Sequence, residues 1–103
     1  MKVEIIANNK EITAKINGEI DHHSTIEIRQ TIDKAIDRAH PHLLILDFKG
    51  VTFSDSSGIA VVIGRWKKMK SIGGITEIIN INNQIKKIFV LSGVTKFVKI
   101  KDV

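Results

Sequence analysis

Apolar and polar residues alternate along residues 2–7 (KVEIIA) and 11–17 (EITAKIN), most cleanly at Ile12, Ala14 and Ile16, and the NNK between them is turn-forming. A period of two puts alternate side chains of a strand on one face, so this stretch predicts a hairpin with a single buried face. From Ser24 the period changes, with Ile28, Ile32, Ala35, Ile36 and Ala39 recurring at helical spacing. Ser24 and Glu27 have the spacing of a capping box at the start of that helix, and Pro41 predicts its end. Residues 42–48 (HLLILDF) contain four consecutive aliphatics, the pattern of a central strand covered on both faces. The following KGVTFSDSS reads as a loop.

A second helix is expected over residues 58–71. Its first turns, IAVVI, are apolar nearly all round, whereas RWKKMK alternates the core candidates Trp66 and Met69 with exposed bases, and Gly73 and Gly74 suit its C-terminus. ITEIIN (75–80) predicts a strand, NNQIKKIFVLSG a short helix ended by Gly93, and KFVKIK a final edge strand. The order β-β-α-β-α-β-α-β predicts an α/β domain spanning 1–103, with a mixed central sheet and crossover helices. Function in such sheets gathers where strands lead into helices. Two of these junctions carry chemistry: GEIDHHST (18–25) and FSDSSG (53–58).

A chain of 103 residues, 43% hydrophobic and 26% charged with one proline, has the composition of one globular domain and no disordered segment. The lack of cysteine excludes disulfides, thiolate zinc sites and thiol nucleophiles, and fits a reducing compartment. MKVEIIANNK turns polar too early for a signal-peptide core, and no apolar run approaches the roughly 20 residues of a membrane span. A cytoplasmic location without membrane contact is therefore expected. The net charge of +5 is spread along the chain, through Arg29, Arg65, Lys67, Lys68 and others, as a solvated surface would be. Few aromatics, no tyrosine and no nucleic-acid motif accompany those bases, so no direct nucleic-acid contact is expected.

In FSDSSG, any one oxygen of Asp55, Ser56 or Ser57 suffices to cap the second helix, contributing on the order of 1 kcal/mol. A serine at a helix mouth is also a favourable place for phosphate, because unpaired N–H groups and the helix dipole both attract an anion. Capping alone and capping with phosphorylation both fit these residues. Ser57, His22 or His23, and Asp21 include the residue types of an acyl-transfer triad, but no G-x-S-x-G elbow surrounds Ser57. His22 and His23 lack further ligands at metal-binding spacing, so no metal is expected. Asp21 reads as a loop acid bonded to nearby backbone; were the two junctions adjacent, it would place negative charge beside Ser57.

GEIDHHS (18–24), LILDFKGVTFSDSSGIAVVIGRWKKMKSIGG (44–74) and KKIFVLSGVTKFVKI (86–100) resemble the STAS domain family, and within it the bacterial anti-sigma factor antagonists of sporulation. The resemblance implies a single STAS-type domain that is a binder and a substrate, not an enzyme, and needs no cofactor. Its unphosphorylated form would bind a nucleotide-bound anti-sigma factor that is also a serine kinase, and so release a sigma factor. Phosphorylation would end that binding, and a metal-dependent serine phosphatase would restore it. By position in DSSG the resemblance makes Ser57 the phosphoacceptor and puts Asp21, Asp55, Ser56, Ser57 and Gly58 on the partner-facing surface. Gly58, lacking a side chain, is expected to leave room for the kinase. No membrane segment or fused domain accompanies the motif, so a stand-alone, monomeric antagonist is expected. An interaction module of another signalling complex, or a basic binder of nucleic acid or anionic surfaces, are the alternatives.

Overall fold

A computed structural model describes residues 2–101. The elements are β1 (Val3–Asn8), β2 (Glu11–Ile20), α1 (Thr25–Ala39), β3 (Leu43–Ser54), α2 (Ser56–Ser71), β4 (Ile75–Ile79), α3 (Asn83–Ser92) and β5 (Lys99–Lys101). This is the expected α/β order, with a short 3-10 turn at Val94–Lys96 that the sequence pattern did not predict. The hairpin forms as expected: β1 pairs antiparallel with β2, Val3 facing Ile16 and Ala7 facing Ile12, and Asn9 takes the positive φ of 56° in the turn.

The other strands join in parallel, giving the spatial order β1-β2-β3-β4-β5. Parallel crossovers are right-handed, and each here steps in the same direction, so α1, α2 and α3 fall on one face of the sheet. That face carries the fully buried Ile12, Ala14, Ile16, Leu44, Leu46, Phe48 and Ile78. They join Ile28, Ile32 and Ile36 of α1, Val61, Val62 and Met69 of α2, and Phe89 of α3 in one core. The expectation that residues 42–48 are covered on both faces is thereby corrected. On the opposite face Thr13, Ile45, Glu77 and Ile79 are only half-buried, and the buried Asp47 accepts the Lys49 N–H and an Asn80 Nδ2 hydrogen, each at 3.0 Å.

The predicted loop after residue 48 is also corrected, because β3 continues through KGVTFS to Ser54 and β2 continues to Ile20. These extensions pair with each other, Asn17 with Gly50 and Ile20 with Ser54, through two register shifts. Gly18 supplies a φ of 87° in this irregular stretch, a conformation costly for other residues.

The C-termini of α1 and α2 follow the sequence signals. His40 takes a left-handed φ of 45° after α1, directly before Pro41. At the end of α2 the Gly74 N–H reaches the Met69 carbonyl at 2.8 Å and the Gly73 N–H the Lys70 carbonyl at 3.0 Å, a Schellman closure. Of the two core candidates in α2, Met69 is fully buried, while Trp66 is half-buried against Phe97, their rings 4.9 Å apart. The ion pairs Arg65–Asp33 and Lys68–Asp37, both 2.8 Å, join α2 to α1. No helix among the described residues is long and apolar enough to cross a membrane.

Candidate functional site

The paired extensions of β2 and β3 bring the two junctions together. Ile20 lies opposite Ser54, and the Asp55 N–H donates to the Ile20 carbonyl at 3.2 Å. Each junction then folds around its own aspartate.

In the first junction the Asp21 carboxylate accepts the N–H groups of His23 at 3.0 Å and Ser24 at 2.9 Å. Ser24 Oγ accepts the Asp21 N–H at 3.0 Å and donates to the Glu19 carbonyl at 3.0 Å. The capping box expected of Ser24 and Glu27 is therefore not formed: the Ser24 side chain caps nothing in α1, because it is bonded back into the turn. The Ser24 N–H bond, with the His23 N–H, holds the Asp21 carboxyl below the ordinary aspartate range against a smaller desolvation effect.

In the second junction Asp55, with extended backbone, accepts the Ser57 N–H on its carboxylate at 2.7 Å, while its carbonyl accepts the Gly58 N–H at 3.0 Å. Helix α2 consequently starts at Ser56, two residues earlier than expected. Ser56 is exposed and Ser57 half-buried, and neither hydroxyl is hydrogen-bonded among the described residues. Capping thus uses the acid and leaves both serine hydroxyls free. It also consumes the N–H groups of Ser57 and Gly58, so the helix mouth has fewer open donors than the sequence suggested.

Gly58 does not open a path for an incoming molecule, and that expected reason for it is corrected. It is buried, and a Cβ there would collide with Ser54 Oγ and stand 3.5 Å from Phe89 Cζ. The missing side chain lets α2 sit against the end of β3 and against α3.

Ser57 opens onto a groove of about 330 Å³ between α1 and α2. His22, Thr25 and Arg29 form one wall; Ser57, Gly64 and Arg65 form the other. Asp21 does not line it; the first junction contributes His22 to this groove instead. No triad is assembled, since the Asp21 carboxylate is spent on backbone and the Ser57 hydroxyl bonds neither histidine among the described residues. Beyond the groove, Phe53 and Ile26 remain half exposed at the same edge, and Phe53 shares a shallow cleft with Ile88 of α3.

Arg65 is the residue that sequence reasoning missed, having been counted among the solvated bases. It is only 7% exposed, and its Nε lies 2.8 Å from Asp33 Oδ1. Burial pushes its pKa down, opposed by Asp33. The Asp33 contact is an ion pair without hydrogen-bond geometry, so neither the Nε nor the Nη1 of Arg65 has a hydrogen-bond partner among the described residues. The signal was present in spacing: Gly58, Val61, Val62, Arg65 and Met69 form the buried stripe of α2, and the arginine occupies an inward position within it.

Comparison with known proteins adds the family. The STAS domain family model matches residues 2–103. The chain is 29% identical over 102 residues to the anti-sigma F factor antagonist of Paenibacillus polymyxa, covering 99% of this chain and 87% of that one. It is 33% identical over 82 residues to the anti-sigma F factor antagonist of Lysinibacillus sphaericus, covering 80% and 70%. Among solved structures it is similar to the anti-sigma factor antagonist SpoIIAA in its unphosphorylated form, with a TM-score of 0.84, 27% identity, and coverage of 98% and 87%. The phosphorylated form of SpoIIAA, described as a Bacillus cell fate determinant, superposes with a TM-score of 0.76 at 27% identity, covering 98% of this chain and 90% of that one. With a family match running through both junctions and the whole sheet, the chain belongs to the STAS domain family.

Proposed function

We propose that this protein is an anti-sigma factor antagonist of the cytoplasm, switched by phosphorylation of Ser57. The observation that carries the reading is the free Ser57 hydroxyl, released from capping by Asp55 and placed where the two junctions meet. Relatives named as anti-sigma F factor antagonists, and the similarity to SpoIIAA in both phosphorylation states, support it.

In the unphosphorylated state the edge formed by Asp21, Asp55, Ser56 and Ser57 docks onto a nucleotide-bound anti-sigma factor and displaces its sigma factor. Phe53 and Ile26 supply apolar area beside these polar groups. The same partner acts as a serine kinase. Ser57 Oγ attacks the terminal phosphorus of ATP, the new Oγ–P bond forms as the bond to the ADP oxygen breaks, and the hydroxyl proton passes to a base of the kinase. The phosphoserine carries a charge of about −1.5 to −2, which a close interface cannot desolvate unless it pairs it. Binding is lost, and a metal-dependent serine phosphatase restores the hydroxyl by hydrolysis. In this scheme the chain is substrate and binder rather than catalyst, and acts as a monomer.

The test is to incubate the protein with a candidate anti-sigma kinase and ATP and map the modified residue by mass spectrometry. Phosphate on Ser57, abolished in Ser57→Ala while partner binding persists, is the expected result. Phosphate on Ser56 alone would refute the assignment.

A further inference from the structure

We propose that the groove between α1 and α2 is the receptor for the phosphoryl group on Ser57, with Arg65 and Arg29 as its cationic grip. This rests on Ser57 being the phosphoacceptor and adds where its phosphate goes.

The helix mouth alone offers a phosphate little. The Ser57 N–H is held by Asp55 Oδ1 and the Gly58 N–H by the Asp55 carbonyl, and the Asp55 carboxylate itself repels a second anion. The nearest open compensation is the groove onto which Ser57 faces. One of its walls ends in Arg65, nine-tenths buried, whose Nη1 has no partner among the described residues and whose only ion pair is through Nε to Asp33. A buried guanidinium hydrogen without an acceptor is costly, so such a group is poised for an anion. The opposite wall presents Arg29, which is exposed and bonded only weakly, its Nε 3.4 Å from the Thr25 carbonyl.

The helix also keeps the path between them open. Seven residues is close to two turns, so Gly64 lies almost directly below Ser57, and a Cβ there would meet nothing within 4 Å. Arg65 starts about 12 Å along the axis from Ser57, and helical side chains lean toward the N-terminus, which is the direction of Ser57. The phosphoester would enter from the other end, and Arg29 stands on the facing wall of the same groove. The charged or titratable groups around the phosphate are then His22 and Arg29 from α1 and the turn before it, Arg65 backed by Asp33, and Asp55 at the cap. On this account phosphorylation does more than repel a partner. It occupies the Ser57 end of the groove and engages arginines that an acidic group of the partner would otherwise meet.

The experiment installs phosphoserine at position 57 by semisynthesis, independently of any kinase, and follows its second ionisation by 31P NMR. The expected pKa is about one unit below the value near 6 of free phosphoserine, because two arginines favour the dianion. Arg29→Ala, which removes an exposed side chain, and Arg65→Lys, which keeps the charge facing Asp33, should each raise it measurably, with circular dichroism verifying the fold. Identical titrations in the parent protein and both variants would overturn the proposal. A second arm adds inorganic phosphate to the phosphorylated protein and watches the arginine side-chain resonances. They should not respond; a saturable response would mean that the groove takes free phosphate and that the ester does not engage its arginines. Failure here leaves the assignment of Ser57 standing, since that is decided by mapping the kinase product.

Discussion

The Asp55 carboxylate accepts the backbone N–H of Ser57 at 2.7 Å, so the residue before the two serines closes the first turn of α2. Asp55→Ala should destabilise the fold by about 1 kcal/mol, and Asp55→Asn, which keeps the accepting oxygen, by a few tenths. Urea midpoints of the three proteins measure this. An equal loss for Ala and Asn would remove Asp55 from the capping role.

Gly58→Ala sets two effects against each other. Alanine is favoured over glycine in a helix by up to about 1 kcal/mol, whereas forcing a methyl against buried, hydrogen-bonded Ser54 costs about 1–3 kcal/mol. Ser54 is 3% exposed and donates to the Asp55 carbonyl at 3.0 Å, so its hydroxyl has little freedom to move aside. A net loss of about 1 kcal/mol is expected, with a substantial part recovered in Ser54→Ala/Gly58→Ala. Additive losses in the double variant would place the clash elsewhere.

The Arg65–Asp33 pair should respond unequally to removal of its two members. Asp33→Asn leaves a buried guanidinium without its counter-charge and should cost about 1–2 kcal/mol, moderated because Asp33 is one-third exposed. Arg65→Met removes the charge together with its need for a partner and should cost less. A larger loss for Arg65→Met than for Asp33→Asn in thermal unfolding would contradict this account.

Asp21 makes a prediction about acid. Its carboxyl titrates below the ordinary aspartate range when folded, chiefly through the Ser24 N–H, so the folded state holds this proton less tightly than the unfolded chain. Its contribution to stability is therefore fully present above about pH 4 and is lost as pH falls through the depressed folded value. In Asp21→Asn the decline in melting temperature between neutral and acid pH should be shallower than in the parent protein. Identical pH profiles would show that the turn bonds do not favour the charged form.

Where the sequence pattern was strong, as at Ile12, Ala14 and Ile16 or at Ile28, Ile32 and Ile36, strands and helices formed where expected, because each stripe has one face to bury. The extension of β3 was not legible locally: Lys49, Gly50 and Thr52 interrupt the apolar run, and the strand is held there by pairing with Asn17–Ile20 across the sheet. Ser24 had the spacing of a cap but lost that role to tertiary and turn bonds around Asp21 and Glu19. Around the site, the motif itself pointed to Ser57 and its two neighbours, and the free hydroxyl fits that indication. Arg65 was hidden because a base in RWKKMK looks solvated until its position on the α2 stripe is weighed against its charge. The bare outer face of the sheet was equally hidden, since four aliphatics in a row do not reveal that all crossovers turn the same way.

The seating of Gly58 against Ser54 and Phe89 has a consequence in time. With Gly58 wedged between a strand end and a neighbouring helix, the backbone next to Ser57 is braced on two sides. If Ser57 carries phosphate as proposed, the mark would be written and erased at the speed of the chemistry that makes and breaks it. The protein would then keep no memory of its previous state once the hydroxyl is restored.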